Sequence, residues 1–224
     1  MSARSTDISK ERRELLRWAA GLGAVTAEAL AARERAGQPG SARVRLAFAR
    51  RDGLMEEWRL LRGRPALYTV TRAGLRAAEV AGLAPARVSA STAAHAVECC
   101  AAAVALEAAY GEGHTVIGEP AIRTAGIGLA LAPGQRTHRP DLLLVPREAR
   151  QLPIAVEVEL TVKSPRRLEA ICRCWARERR VGGAISIVSP DVKAPLRRAI
   201  EGSGAGERIA VVELQGRGGI EVVR

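Results

Sequence analysis

Residues 11–22 carry Leu15, Leu16, Trp18 and Ala19 at helical spacing and run into Gly21-Leu22-Gly23, so the pattern predicts a helix ended by glycine. Thr26 suits the N-cap of a second helix reaching Arg35. After the connection Gly37-Gln38-Pro39-Gly40, Ser41 can cap a third helix through Arg51. On that helix the 3.6-residue period puts Val44, Ala47 and Phe48 on one face. Arg45, Ala49 and Arg50 turn away from it, and Arg43 lies at the border. Past Gly53 the pattern shortens to extended runs at 58–61 and 67–71, joined by Arg62-Gly63-Arg64-Pro65, which predicts a hairpin. Thr71 can then cap a fourth helix.

Gly and Pro in Ala81-Gly82-Leu83-Ala84-Pro85 mark a break. Beyond it, residues 93–109 read as a long helix, and three extended runs follow at 114–119, 141–145 and 154–162. Ser164-Pro165 opens a helix with Leu168, Ile171, Cys172 and Trp175 on one face. A strand at 184–188, a helix capped by Asp191 and a strand at 209–212 complete the order. The fold class expected is α/β, in two domains at 1–84 and 85–224, the second built on a central mixed sheet.

Composition fits a folded chain: of 224 residues, 47% are hydrophobic and 26% charged, which excludes a wholly disordered basic tail. The longest uncharged stretch, 124–135, is too short to span a bilayer, and no apolar leader opens the chain, so a cytoplasmic protein without a membrane partner is expected. The net charge of +11 points to a polyanion. It is uneven, with 16 basic against 9 acidic residues in 1–80 and 19 against 15 in 81–224.

Three helices, a hairpin and a further helix follow the winged helix-turn-helix order. Tyr68-Thr69-Val70-Thr71-Arg72-Ala73-Gly74-Leu75 resembles the strand-to-helix joint of winged-helix regulators. That resemblance implies double-stranded DNA as partner, with Arg45, Arg50 and Arg43 of the third helix at the major groove and Arg62 and Arg64 of the wing along the backbone or in the minor groove. A winged helix used for protein contacts, its arginines merely solvated, is the competing reading. Winged helices often pair on half-sites, which allows a homodimer, although no heptad seam marks one.

In the second part, Glu157, Glu159, Thr161 and Lys163 would share one face of a strand, and two carboxylates on a mostly apolar strand are costly to bury unless paired or metal-bound. Pro140-Asp141 before one strand and Glu157-Val158-Glu159 in the next resemble the PD-(D/E)XK nuclease core. The resemblance implies Asp141 and Glu157 as ligands of Mg²⁺ or Mn²⁺, with Glu119 as a further acidic ligand. Glu159 stands at the family's lysine position, and Lys163 follows on the same face, so these two are the candidate catalytic residues. The alternative is an exposed strand face, with the acids paired to Arg139, Arg166 or Arg167.

Over about residues 10–200, the joint at 68–75 combines with His95-Ala96-Val97, Gly118-Glu119-Pro120-Ala121-Ile122-Arg123, His138-Arg139-Pro140-Asp141 and Glu157-Val158-Glu159-Leu160-Thr161. In that order they resemble the replication-relaxation family of actinobacterial plasmids and integrative elements. The resemblance implies a DNA-binding protein of plasmid or mobile-element replication, relaxation or regulation. A Mg²⁺-dependent endonuclease or nickase, and a transcription regulator with a non-catalytic second domain, stay open beside it. His138 reads as a solvated loop histidine, and Cys99, Cys100, Cys172 and Cys174 as reduced thiols on helices. Gly126-Ile127-Gly128 lacks the Lys-Ser/Thr of a phosphate loop, so no nucleotide cofactor is expected.

Overall fold

The computed structural model of the chain describes residues 8–34, 38–126, 129–130, 137–148, 150–215 and 219–221. The fold is α/β and forms two compact units, one from residues 1–100 and 118–124, the other from 101–117 and 125–224. The division lies inside a long helix, beyond the break at 81–85.

In the first unit, α1 (Lys10–Leu22) starts at Ser9, whose side chain accepts the Arg12 N–H, and buries Leu15, Leu16, Trp18, Ala19 and Ala20. It stops at Gly23, whose φ of 93° suits a residue without a Cβ. α2 (Ala27–Arg33) is capped by Thr26, which accepts the Ala29 N–H at 3.0 Å. α3 (Pro39–Arg51) begins with Pro at its first turn, two residues before the expected Ser41 cap.

The face that α3 buries is Ala42, Leu46 and Ala49, opposite to the one expected from the pattern. Val44, Ala47 and Phe48 are exposed. Both sets satisfy the helical period, and the buried set has the two alanines that admit a close neighbour beside Leu46.

β1 (Met55–Trp58) pairs antiparallel with β2 (Leu67–Val70), Met55 opposite Val70 and Trp58 opposite Leu67. The first strand thus lies three residues earlier than expected, because buried Met55 rather than Leu60 sets its register. Val25 adds a short antiparallel bridge to Tyr68, with both N–H···O bonds made, at 3.0 and 2.8 Å.

β2 runs into α4 (Arg72–Ala77), where Thr71 accepts the Gly74 N–H and donates to the Gly53 carbonyl at 2.7 Å. A Cβ at position 74 would sit 2.1 Å from the Leu54 carbonyl oxygen. The Thr-x-x-Gly spacing at this joint is therefore steric: the first turn of α4 lies directly on the chain that enters β1.

α5 (Ala90–Tyr110) carries Ala93 and Val97 into an apolar cluster with Ala24 and Leu67, against which Trp58, Leu60 and Leu61 pack. It is long and apolar enough to cross a bilayer, the one such helix among the described residues; Cys100, Ala102, Ala103, Val104 and Leu106 are also buried. Its second half belongs to the other unit.

After the second half of α5 that unit continues into β3 (His114–Gly118), all but its last residue. α6 (Glu119–Thr124) lies in the first unit, and β4 (Leu129–Ala130) pairs with β5 (Thr137–His138). β6 (Leu142–Pro146), β7 (Ile154–Glu159), α7 (Pro165–Arg177), β8 (Gly183–Val188), α8 (Pro190–Ser203), β9 (Ile209–Gln215) and β10 (Gly219–Glu221) follow. Apart from the β4–β5 pair, these strands form one mixed sheet in the order β10-β9-β8-β7-β6-β3. β7 is antiparallel to β6 and parallel to β8, which is parallel to β9. β7 ends at Glu159, so Thr161 and Lys163 lie beyond the strand on which the alternation placed them. Both neighbours of β7 are strands, so it reads as a continuous buried run, Ala155 to Glu159.

Candidate functional site

Burying a carboxylate requires partners, and the middle of β7 buries two: Glu157 is 3% exposed and Glu159 5%. Alternation along the strand puts both on the face of Ala155. Glu157 Oε1 is hydrogen-bonded by His138 Nε2 at 2.6 Å and by the Trp175 indole N–H at 3.1 Å. Trp175 reaches it because α7 presents Leu168, Ile171, Cys172 and Trp175 as one buried stripe. His138 is set by the β4–β5 ladder, and its ring meets Trp175 edge-on at 6.0 Å between centroids.

Asp141 precedes β6, and the pairing of Leu142 with Val156 brings it alongside Glu157. Its Oδ2 accepts the Val158 N–H at 2.8 Å. Glu159 is paired with Lys163. The partners of the two buried acids are thus His138, Trp175 and Lys163, where the sequence suggested Arg139, Arg166 or Arg167.

Burial pushes the Glu157 carboxyl up to about 7, against the pull of His138 and with the push of Asp141 and Glu159. For His138 burial works downward, but the hydrogen bond and charge of Glu157 outweigh it and the net shift is upward. The pair holds a proton more tightly than either group would in water. Chemically this is a hydrogen-bonded acid-base pair at the edge of a carboxylate cluster.

The donor set of Asp141 and Glu157 is all oxygen, on neighbouring strands, and suits a hard dication. Burial raises Glu157 most, the charges of Asp141 and Glu159 add to it, and a cation would offset that repulsion. Glu119 is exposed at the start of α6, 3.8 Å from Arg123, and belongs to the first unit, whereas Asp141, Glu157, Glu159 and Lys163 belong to the second.

The arginines of the first unit occupy an outer surface. Arg43 lies 2.7 Å from Glu28, and Arg45 is paired with Glu34. Arg50 lies 3.0 Å from Glu57, which also holds Arg59 at 2.6 Å. Arg64 in the β1–β2 loop lies 3.1 Å from Glu98, and Arg62 has no ion pair among the described residues. Arg45, with a 36% exposed side chain, is the least accessible of the three on α3; Arg43 and Arg50 stand further out. The Arg43–Glu28 pair is exposed on both sides, and such a pair contributes little and exchanges partners readily.

His138, expected as a solvated loop histidine, instead lies on β5 with its side chain 15% exposed and against Glu157, because the β4–β5 ladder carries it there. Its one sequence signal is the step from His138 to Asp141, which leads straight into the strand pairing with Glu157. None of the four cysteines is joined in a disulfide. Burial raises Cys172 to about 11, which suppresses its thiolate.

Comparison of the chain with protein-family models, with curated proteins and with solved structures returned no match.

Proposed function

We propose that the chain is a double-stranded-DNA-binding protein of the replication-relaxation type, cytoplasmic, acting in plasmid or mobile-element replication, relaxation or regulation. In this reading the first unit is a winged helix-turn-helix, with α3 in the major groove and the β1–β2 loop as the wing. The element order α1-α2-α3-β1-β2-α4, the Val25–Tyr68 bridge and the steric demand at Gly74 support it.

The observation that carries the reading is the outer surface of α3. On one shoulder of the buried Ala42-Leu46-Ala49 stripe, Arg43 and Arg50 stand in solvent, and Arg59, Arg62 and Arg64 lie in the β1–β2 loop. Binding of a fluorescent duplex across a salt series tests it. Replacing Arg43 and Arg50 together by Ala should weaken binding and flatten the salt slope by about 2, close to one unit per lost phosphate contact. An unchanged slope would remove α3 from the DNA.

A second reading has one specific support, the cross-strand pair Asp141–Glu157 in an α5-β3-β6-β7-α7-β8 order that resembles the PD-(D/E)XK core. Asp141 and Glu157 would hold Mg²⁺ or Mn²⁺, which supplies positive charge to a phosphate and acidifies bound water. His138 and Trp175 would orient Glu157, and Lys163, held by Glu159, would be the nearest cation for the substrate. Supercoiled plasmid incubated with the protein and either ion discriminates. Nicking abolished by Asp141→Ala supports an endonuclease; no nicking by the wild type leaves the second unit the non-catalytic part of a regulator.

A further inference from the structure

α3 exposes more than arginine. Val44 is 54% and Phe48 42% exposed, both large apolar side chains on a helix whose buried stripe is complete without them. Around the helix, Val44, Ala47 and Arg51 point away from the core, Phe48 lies on one shoulder, and Arg43 and Arg50 lie on the other. The Arg51 guanidinium sits 4.6 Å from the centre of the Phe48 ring. A small apolar ridge is therefore rimmed by guanidinium groups, and an exposed apolar patch with a polar rim marks a contact surface.

The rim chooses the partner. Arg43, Arg50 and Arg51 complement a polyanion, and a helix of this width fits the major groove of B-DNA. Within that groove the one apolar feature is the C5 methyl of thymine. We propose that Val44 and Phe48, with Ala47 between them, read thymine methyls in the major groove while Arg43 and Arg50 hold the flanking phosphates. This deepens the DNA-binding reading above and rests on it: the arginines give affinity, and the apolar ridge gives preference for T-containing steps.

Short duplexes enriched by the full chain from a randomised pool, remade with deoxyuridine in place of thymidine, provide the test. That change deletes the methyl and keeps every hydrogen-bonding group. The wild type should bind the uracil duplex about fourfold more weakly for each methyl contacted. Val44→Ala combined with Phe48→Ala, both surface changes, should bind the two duplexes alike with the salt slope unchanged. Equal binding of both duplexes by the wild type, with the slope still dependent on Arg43 and Arg50, overturns the methyl readout and leaves DNA binding standing. A thymine preference that survives the double substitution overturns the assignment to these residues. Absence of salt-dependent duplex binding overturns both proposals.

Discussion

The two units use ion pairs in opposite ways. On α3 and the β1–β2 loop, the side chains of Arg43, Arg50 and Arg64 are more than half exposed, although Glu57 and Glu98, which hold two of them, are largely buried. In the second unit, Glu157 is enclosed by His138 and Trp175. An exposed pair gains little and gives up its partner to a phosphate at small cost, so the arginine surface is suited to exchange. A buried acid that loses a donor has nowhere to turn, so the Glu157 cluster is suited to holding one geometry. The first arrangement leaves guanidinium groups accessible, and the second fixes the position of a carboxyl group.

The hardest test of that contrast is Trp175→Ala, which removes both the largest side chain of the α7 stripe and a donor to Glu157. It should cost the second unit about 3–5 kcal/mol in denaturant melts. Trp175→Phe keeps most of the volume and isolates the lost N–H, for about 1–3 kcal/mol. The counterpart in the first unit is Gly74→Ala, where the added methyl meets the Leu54 carbonyl; about 1–3 kcal/mol is expected, read as a lowered melting temperature.

Acid should separate the units by sign. Glu157 and His138 are both raised, so their contribution is full below their ordinary values and is lost as pH rises through about 7 for Glu157 and through the raised value for His138. In the first unit Asp52 is lowered: burial opposes the shift, and the hydrogen bonds and charges of Arg12 and Arg51 outweigh it. Its contribution is present above the ordinary carboxylate range and is lost as pH falls. Hydrogen exchange at about pH 5 and about pH 8 should show the second unit better protected at the lower value. Glu157→Gln should flatten that dependence; a dependence that persists would place its origin elsewhere.

The smallest effect is expected on the surface. Arg43→Ala or Arg50→Ala should change thermal stability by no more than about 0.5 kcal/mol while reducing the affinity for duplex DNA. A large loss of stability would make these arginines structural and erase the contrast.

How much was legible follows the range of the forces involved. The caps Thr26 and Thr71 act within one turn, and α2 and α4 begin where those residues stand. The α7 stripe could be read for the same reason: its four large side chains permit one apolar face only. α3 offers two such faces, Ala42-Leu46-Ala49 and Val44-Ala47-Phe48, and periodicity has no means of choosing between them. Glu157 and Asp141 stood out as acids in apolar strands, but the neighbours that complete their surroundings did not.

Local chemistry in the chain therefore settles the starts of α2 and α4, and that the second half is a strand-rich α/β unit whose acids need partners. It does not settle the starts of α3 and α8, which begin at Pro39 and Pro190 after Gln38 and Ser189 rather than after the expected caps Ser41 and Asp191. Folding alone selects the partners: which face of α3 meets its neighbours, where β1 takes its register, and that His138 and Trp175 close on one oxygen of Glu157. Those contacts join residues far apart in the chain, and each depends on packing and strand pairing that no single segment encodes.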